Sequence, residues 1–226
     1  MSAGTLPADE VRSMFDRIAP VYDAMNRLMT AGLDLRWRRI TAEAVVRPGD
    51  RALDACCGTG DLALAAHKAG AGEVTGLDFS TRMLERARRK LPAASWVEGD
   101  LLSLPFEDRS FEAATVGFGV RNVDDLGRGL AELRRVLVPG GRVGILEITT
   151  PRGVLAPFYR IWFDRIVPLL GKLLKGGAAY SYLPASVRRF PPPEDLAGRM
   201  RDAGFADVEW RTFAGGIVAL HTGRAG

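Results

Sequence analysis

Three aspartates frame this chain: Asp54, Asp78 and Asp100 each follow a short apolar run, at intervals of about twenty residues. Residues 51–55 read as a strand that runs into a glycine cluster, and residues 61–68 have helical spacing until Gly70-Ala71-Gly72 stops them. Residues 73–78 form the next strand, after which Ser80 is placed to cap a helix over 81–90. Further strands are expected at 95–98, 113–118 and 142–149. An amphipathic helix over 126–138 is closed by Pro139-Gly140-Gly141. Strands and helices alternating at this interval predict an α/β fold with a doubly wound, mostly parallel sheet, whose ligand crevice lies at the carboxyl ends of its strands.

The last third has a different pattern. Residues 154–174 are strongly apolar with helical spacing, and a loop containing Gly, Tyr and Pro spans 176–193. A helix at 194–203 and strands at 205–213 and 216–221 end the chain as an antiparallel hairpin. The expected organisation is a flexible arm over 1–10, one domain over 11–226 with an N-terminal helix, and a helical lid insert over 151–193.

Composition excludes several classes. In 226 residues, 47% hydrophobic and 26% charged content supports a packed core. The net charge of +4 suits anionic lipid, nucleic acid or an anionic substrate without choosing among them. There is no cluster of aromatic and basic residues, so nucleic acid is not an expected partner. Cys56 and Cys57 are adjacent and only His67 and His221 accompany them, so neither a disulfide framework nor a zinc site is expected, and no metal is assigned. This fits a reducing, cytoplasmic setting. Residues 1–10 lack the features of a signal peptide, and the apolar stretch 154–174 is broken by Arg160, Asp164, Arg165 and Lys172, so no membrane span is expected.

The strand ends build a nucleoside site. Asp54 precedes Cys56-Cys57-Gly58-Thr59-Gly60, where glycine lets the backbone approach a ligand. Asp78 is positioned to accept ribose hydroxyls, and Asp100 to accept from an adenine amino group with Leu101 against the ring. Gly117 ends the fourth strand beside the reacting centre. The loop differs from the G-x-G-x-x-G of a dinucleotide site, which is the alternative cofactor class.

Asp54-Ala55-Cys56-Cys57-Gly58-Thr59-Gly60 resembles the first motif of class I methyltransferases, with Cys56 in a glycine slot. That substitution carries the expectation that Cys56 keeps a negative φ. The resemblance implies a Rossmann-like methyltransferase sheet and S-adenosyl-L-methionine as cofactor.

Outside the loop, three stretches are similar to the ubiquinone/menaquinone biosynthesis C-methyltransferase family. The first runs from Phe15 through Tyr22-Asp23-Ala24-Met25-Asn26 to Trp37, with Thr30 and Asp34 where the family has serine and histidine. The second is Phe118-Gly119-Val120-Arg121-Asn122 and its continuation from Arg135 to Glu147, and the third includes Tyr180-Ser181-Tyr182-Leu183-Pro184 and Ala214 to His221. By this resemblance the cofactor contacts fall on Thr59, Asp78, Asp100, Leu101 and Gly117, the last often serine in the family. The substrate implied is a prenylated quinol, methylated on a ring carbon: demethylmenaquinol to menaquinol, with a benzoquinol as the other possibility.

Such a reaction asks the protein to favour the phenolate and align carbon, methyl and sulfur. Arg121 follows the fourth strand and cannot act as an ordinary base, so its expected role is to steady the phenolate or orient a water, with Asn122 fixing the geometry. Tyr22, Asp23 and Asn26 are expected to close over the cofactor together with Gly58 and Gly60, while Phe118, Tyr180 and Tyr182 line the quinol pocket. His221 is left without a role, since a lone histidine near a strand end is more often structural. The stretch 154–174 is expected to serve as lid, peripheral contact with the inner face of the plasma membrane, or homodimer interface. The competing readings are a methyltransferase for another lipid or small molecule, and a non-catalytic protein that binds the cofactor or a quinone.

Overall fold

The structure is a computed structural model and describes residues 8–151, 159, 165 and 177–226. Three helices come first: α1 (Ala8–Ile18), α2 (Tyr22–Thr30) and α3 (Leu33–Val45). Thus α1 starts inside the stretch expected to be an arm, and three helices stand where one was expected. Left-handed residues Ala31 and Gly32, at φ +50° and +77°, divide the last two.

A sheet follows, with β1 (Arg51–Ala55), β2 (Glu73–Asp78), β3 (Ser95–Glu98), β4 (Phe111–Gly117), β5 (Leu137–Ile148), β6 (Phe205–Phe213) and β7 (Val218–Ala225) in the order β3-β2-β1-β4-β5-β7-β6. Strands β1 to β5 pair in parallel, and β7 is antiparallel to both β5 and β6. The chain order reverses between β1 and β4, which opens a crevice there.

The intervening helices are α4 (Asp61–Lys68), α5 (Thr81–Lys90), α6 (Leu126–Val136), α7 (Gly177–Arg189) and α8 (Pro193–Asp202). Ser80 caps α5 as expected, its Oγ accepting from the N–H of Met83 at 3.2 Å. Helices α3, α4 and α5 cover one face of the sheet, and α6 and α8 the other. Alternation along β1 sends Leu53 into the core shared with Leu130, Leu133 and Met200, while Ala52 packs with Val45, Ala63 and Ala66 on the opposite face.

Two expectations need correcting. Residues 177–189 are helical, although Gly176-Gly177 and Pro184 read as loop. The Pro139-Gly140-Gly141 turn lies inside β5: Leu137 pairs with Phe111, the register slips, and pairing resumes with Arg142 opposite Ala113. Apart from Tyr159 and Arg165, the apolar stretch 154–174 lies outside the described residues. Among the described residues no helix is long and apolar enough to cross a membrane.

Candidate active site

Two cavities meet above the carboxyl ends of the strands. The first, about 780 Å³ including its open mouth, runs along the ends of β1, β2 and β4 and is lined by Gly58, Asp78, Asp100, Leu101, Gly117 and Asn122. The second, about 1130 Å³ measured the same way, lies beneath α1, α2 and α7, with Met29, Trp37, Arg121, Ile148 and Tyr182 in its wall. Phe15, Tyr22 and Phe118 line both. Phe15 and Tyr22 meet edge to face at 6.2 Å between ring centroids. These three rings stand where the cavities join, so a group carried in one reaches a ring held in the other beside them.

In the first cavity Asp78 is buried, and both its oxygens accept from the backbone: Oδ2 from the N–H of Gly58 at 2.8 Å and Oδ1 from that of Ser80 at 2.9 Å. Burial raises its pKa to about 6, against the lowering effect of those bonds. Asp100 is exposed and caps its own turn through the N–H of Leu102 at 2.9 Å, while Leu101 is buried. The Oδ1 of Asn122 is buried and has no hydrogen-bond partner among the described residues. An unpartnered acceptor, two carboxylates at neighbouring strand ends and the apolar wall of Leu101, Phe79 and Met83 fit a ligand with ribose hydroxyls, an aromatic base and an ammonium group.

Three expected cofactor residues sit behind the cavity wall. Asp54 is fully buried below the loop, accepting from the Thr115 hydroxyl at 3.0 Å, and burial raises its pKa to about 7. The Thr59 hydroxyl donates to Asp23 at 2.5 Å and turns into a polar cluster under α2. Gly60 starts α4 at φ +81°, where a Cβ would stand 2.7 Å from the Trp96 ring. Asp54, Thr59 and Gly60 therefore shape the loop, whereas Gly58, Asp78, Asp100, Leu101, Gly117 and Tyr22 face the cavity.

The loop also corrects the expectation for Cys56. It takes φ +54°, in the left-handed region, and its Cβ rests against Gly119, where a Cβ would come within 2.5 Å. Such a conformation costs a non-glycine residue about 1–2 kcal/mol and persists only where the surroundings impose it. Phe118 is held the same way, at φ +61°. Its N–H donates to Leu146 O at 2.8 Å and its own carbonyl accepts from Arg121.

Arg121 and Glu147 form a buried ion pair at 2.8 Å, with 7% and 1% of the side chains exposed. The buried Arg38 guanidinium lies 5.0 Å from the centroid of the Phe118 ring. Sequence reasoning gave Arg38 and Glu147 no role. Glu147 closes a quoted motif, which was a usable signal, but nothing in the sequence pairs Arg38 with Phe118.

A second set of residues fixes α2. Lys90 donates to Asp23 at 2.9 Å and to Asp61, and Arg27 bridges Asp61 at 2.7 Å to the buried Asp34. Burial alone would raise the Asp61 pKa, but Arg38, Lys90 and Arg27 hold it below the ordinary aspartate value. Asp23 thus serves the clamp, and Asn26 faces the second cavity. Tyr182 lines that cavity too, while Tyr180 falls on α7 with its side chain outside the described part. His221 is buried away from both cavities, its Nε2 2.9 Å from Pro193 O, and burial lowers its pKa.

Residues 5–225 match the ubiE/COQ5 methyltransferase family. The chain is 46% identical to a protein of Thermus thermophilus named demethylmenaquinone methyltransferase, over 93% of this chain and 99% of the relative. It is 39% identical to a Geotalea daltonii protein named ubiquinone/menaquinone biosynthesis C-methyltransferase, over 97% of each. A solved structure from Thermotoga maritima, described as an S-adenosylmethionine-dependent methyltransferase and possible histamine N-methyltransferase, superimposes with a TM-score of 0.68 at 21% identity, covering 93% of this chain and 97% of that one. At that identity the likeness carries the fold alone.

Proposed function

The chain belongs to the ubiE/COQ5 methyltransferase family, and from that membership we propose that it methylates a ring carbon of a prenylated quinol, converting demethylmenaquinol to menaquinol. It is an S-adenosylmethionine-dependent methyltransferase of the class I fold. The observation that carries the substrate reading is the second cavity: an apolar chamber in which, among the described residues, Arg121 is the one guanidinium, joined to the cofactor cleft at Phe15, Tyr22 and Phe118. An aliphatic tail suits its walls, and a phenolate suits the Arg121 guanidinium.

S-adenosylmethionine supplies an electrophilic methyl group when bound. Asp78 would accept hydrogen bonds from the ribose hydroxyls, Asp100 and Leu101 would hold the adenine, and Asn122 Oδ1 would accept from the ligand's ammonium, since all four line the first cavity. Gly58 and Gly117 would leave room for the ligand at the loop and at the end of β4, and Tyr22 would close over it from α2. Asp54, Thr59 and Gly60 hold the loop from behind. Arg121 stabilises the ionised quinol oxygen, which directs electron density to the neighbouring ring carbon. Phe118, stacked on Arg38, and Tyr182 confine the ring, so the nucleophilic carbon is presented at the junction of the cavities with water excluded. Asn122, one residue from Arg121 but facing the other cavity, keeps the two halves in register. A prenylated quinol partitions into lipid, and on that ground we infer that the protein meets its substrate at the inner face of the plasma membrane.

The test is methylation of a chemically reduced, short-tailed demethylnaphthoquinol with methyl-deuterated S-adenosylmethionine. The label should appear on a ring carbon. Label on oxygen, or on a non-quinol amine only, would overturn the reading.

A further inference from the structure

Among the described residues, four large apolar side chains are markedly exposed, and three of them, Leu28, Leu33 and Leu35, occupy the corner between α2 and α3. Their exposures are 51%, 42% and 48%. This corner is a built feature. Ala31 and Gly32 both adopt left-handed conformations, which swing the chain outward, and a Cβ at Gly32 would meet nothing within 4 Å. From behind, buried Asp34 anchors the corner through Arg27 and the Thr30 hydroxyl, the latter at 3.0 Å. The polar anchor thus fixes a corner on which three leucines are exposed.

The corner is also continuous with the chamber proposed for the quinol, because Leu33 lines that chamber together with Met29 and Trp37. Exposed Arg36 and Arg39 flank the leucines on α3. Arg39 pairs with Glu43 at 3.7 Å, an exposed contact, and Arg36 makes no ion pair among the described residues. An apolar tip flanked by two guanidinium groups, at the mouth of a chamber for an aliphatic tail, matches the boundary of an anionic bilayer: headgroups for the arginines and acyl chains for the leucines.

We propose that the α2–α3 corner is the membrane-docking surface of this protein, with Leu28, Leu33 and Leu35 entering an anionic phospholipid bilayer and Arg36 and Arg39 contacting its headgroups, so that a lipid substrate passes into the chamber beside Leu33. The proposal rests on the quinol reading for what passes through, but not for the docking itself. A second copy of the chain could not enter the chamber mouth as a tail does, and it would have to supply anionic groups to both arginines.

The experiment is flotation of the full chain with vesicles of phosphatidylcholine, alone or mixed with phosphatidylglycerol, beside turnover of a tail-truncated quinol and of a long-tailed quinol held in the vesicles. The wild type should float with the mixed vesicles. The double variant Leu28→Glu/Leu35→Glu, which touches neither cavity lining, should bind vesicles at least about tenfold more weakly. It should retain its turnover of the truncated quinol, which also shows that it folds, and lose turnover of the vesicle-held one. Arg36→Glu/Arg39→Glu should abolish the preference for anionic lipid, and Trp210→Ser, at the fourth exposed site, should change nothing. Unchanged flotation of the leucine variant overturns the proposal, as does a wild-type dimer that this variant dissociates. Flotation without turnover of any quinol sinks the substrate reading alone.

Discussion

Glu147 receives Arg121 twice: Nη1 of the guanidinium donates to one carboxylate oxygen at 2.8 Å, and the backbone N–H of Arg121 donates to the other at 3.3 Å. The same carboxylate accepts from the N–H of Ile148 at 2.8 Å, so the end of β5 holds the acid and the acid holds the arginine. Among the described residues the buried Nε of Arg121 has no partner, which leaves donor capacity on a residue that lines the second cavity. In the mechanism proposed above, the pair would hold the Arg121 guanidinium where charge develops in the reaction.

Arg121→Lys keeps the charge but loses the fork, and should lower kcat on the order of a hundredfold while leaving affinity for S-adenosylhomocysteine unchanged. Glu147→Ala strands a buried cation and should cost about 3–5 kcal/mol of stability. Glu147→Gln should fold better than the alanine variant yet turn over more slowly than wild type. Kinetics with calorimetric cofactor titration separate these outcomes.

Asp78 titrates at about 6 in the folded protein. Only its ionised form offers both oxygens to ribose hydroxyls, so affinity for S-adenosylhomocysteine should fall by about tenfold from pH 7 to pH 5. The linkage to stability has the opposite sense. A folded pKa above the unfolded value stabilises at low pH, and that contribution is lost as pH rises through about 6. Asp78→Asn should bind weakly at all pH values and remove that slope from the pH dependence of thermal unfolding.

Cys56 carries backbone strain that glycine would relieve. Cys56→Gly should be more stable than Cys56→Ala by up to about 1 kcal/mol, the left-handed penalty minus the added entropy of the unfolded chain. Burial holds the Cys56 thiol well above its ordinary pKa, so alkylation near neutral pH should be slow. Chemical denaturation and a thiol-labelling time course measure the two.

The clamp of Asp23, Arg27, Asp34, Asp61 and Lys90 fixes α2, whose Tyr22 lines the first cavity and would close over the cofactor in the proposed mechanism. Asp61→Asn removes the acid shared by Arg27 and Lys90 and should cost about 1–3 kcal/mol, discounted because both bases are partly exposed. Cofactor affinity should fall with it, and hydrogen exchange in α2 should quicken before that in β1 or β4. Equal exchange in α2 of variant and wild type would contradict the clamp.

Much of this was legible in the chain because the relevant signals are local. The aspartates at 54, 78 and 100, and the cap at Ser80, sit beside the strands and turns that require them. Helix α7 was hidden because glycines and Pro184 weigh against helix in any local reading, whereas packing of Leu183 and Val187 with Val11 and Met14 secures it. Thr59 was expected as a cofactor contact from the family resemblance, and its partners Asp23 and Lys90, 36 and 31 residues away, could not be read from the local sequence. The contacts of Arg38 with Phe118 and of Arg27 with Asp61 are likewise invisible until the fold brings α2, α3 and α4 over the strand ends.

The most direct test of the central claim is single-turnover methyl transfer from labelled S-adenosylmethionine to reduced demethylnaphthoquinol and to a benzoquinol analogue, with wild type and Arg121→Lys side by side. Wild type should methylate the naphthoquinol ring at carbon, and Arg121→Lys should bind the cofactor normally but transfer the methyl group far more slowly. Transfer to the benzoquinol alone would contradict the naphthoquinol assignment. Cofactor binding without transfer to either ring, or equal transfer by both proteins, would contradict the quinol account and the role given to Arg121.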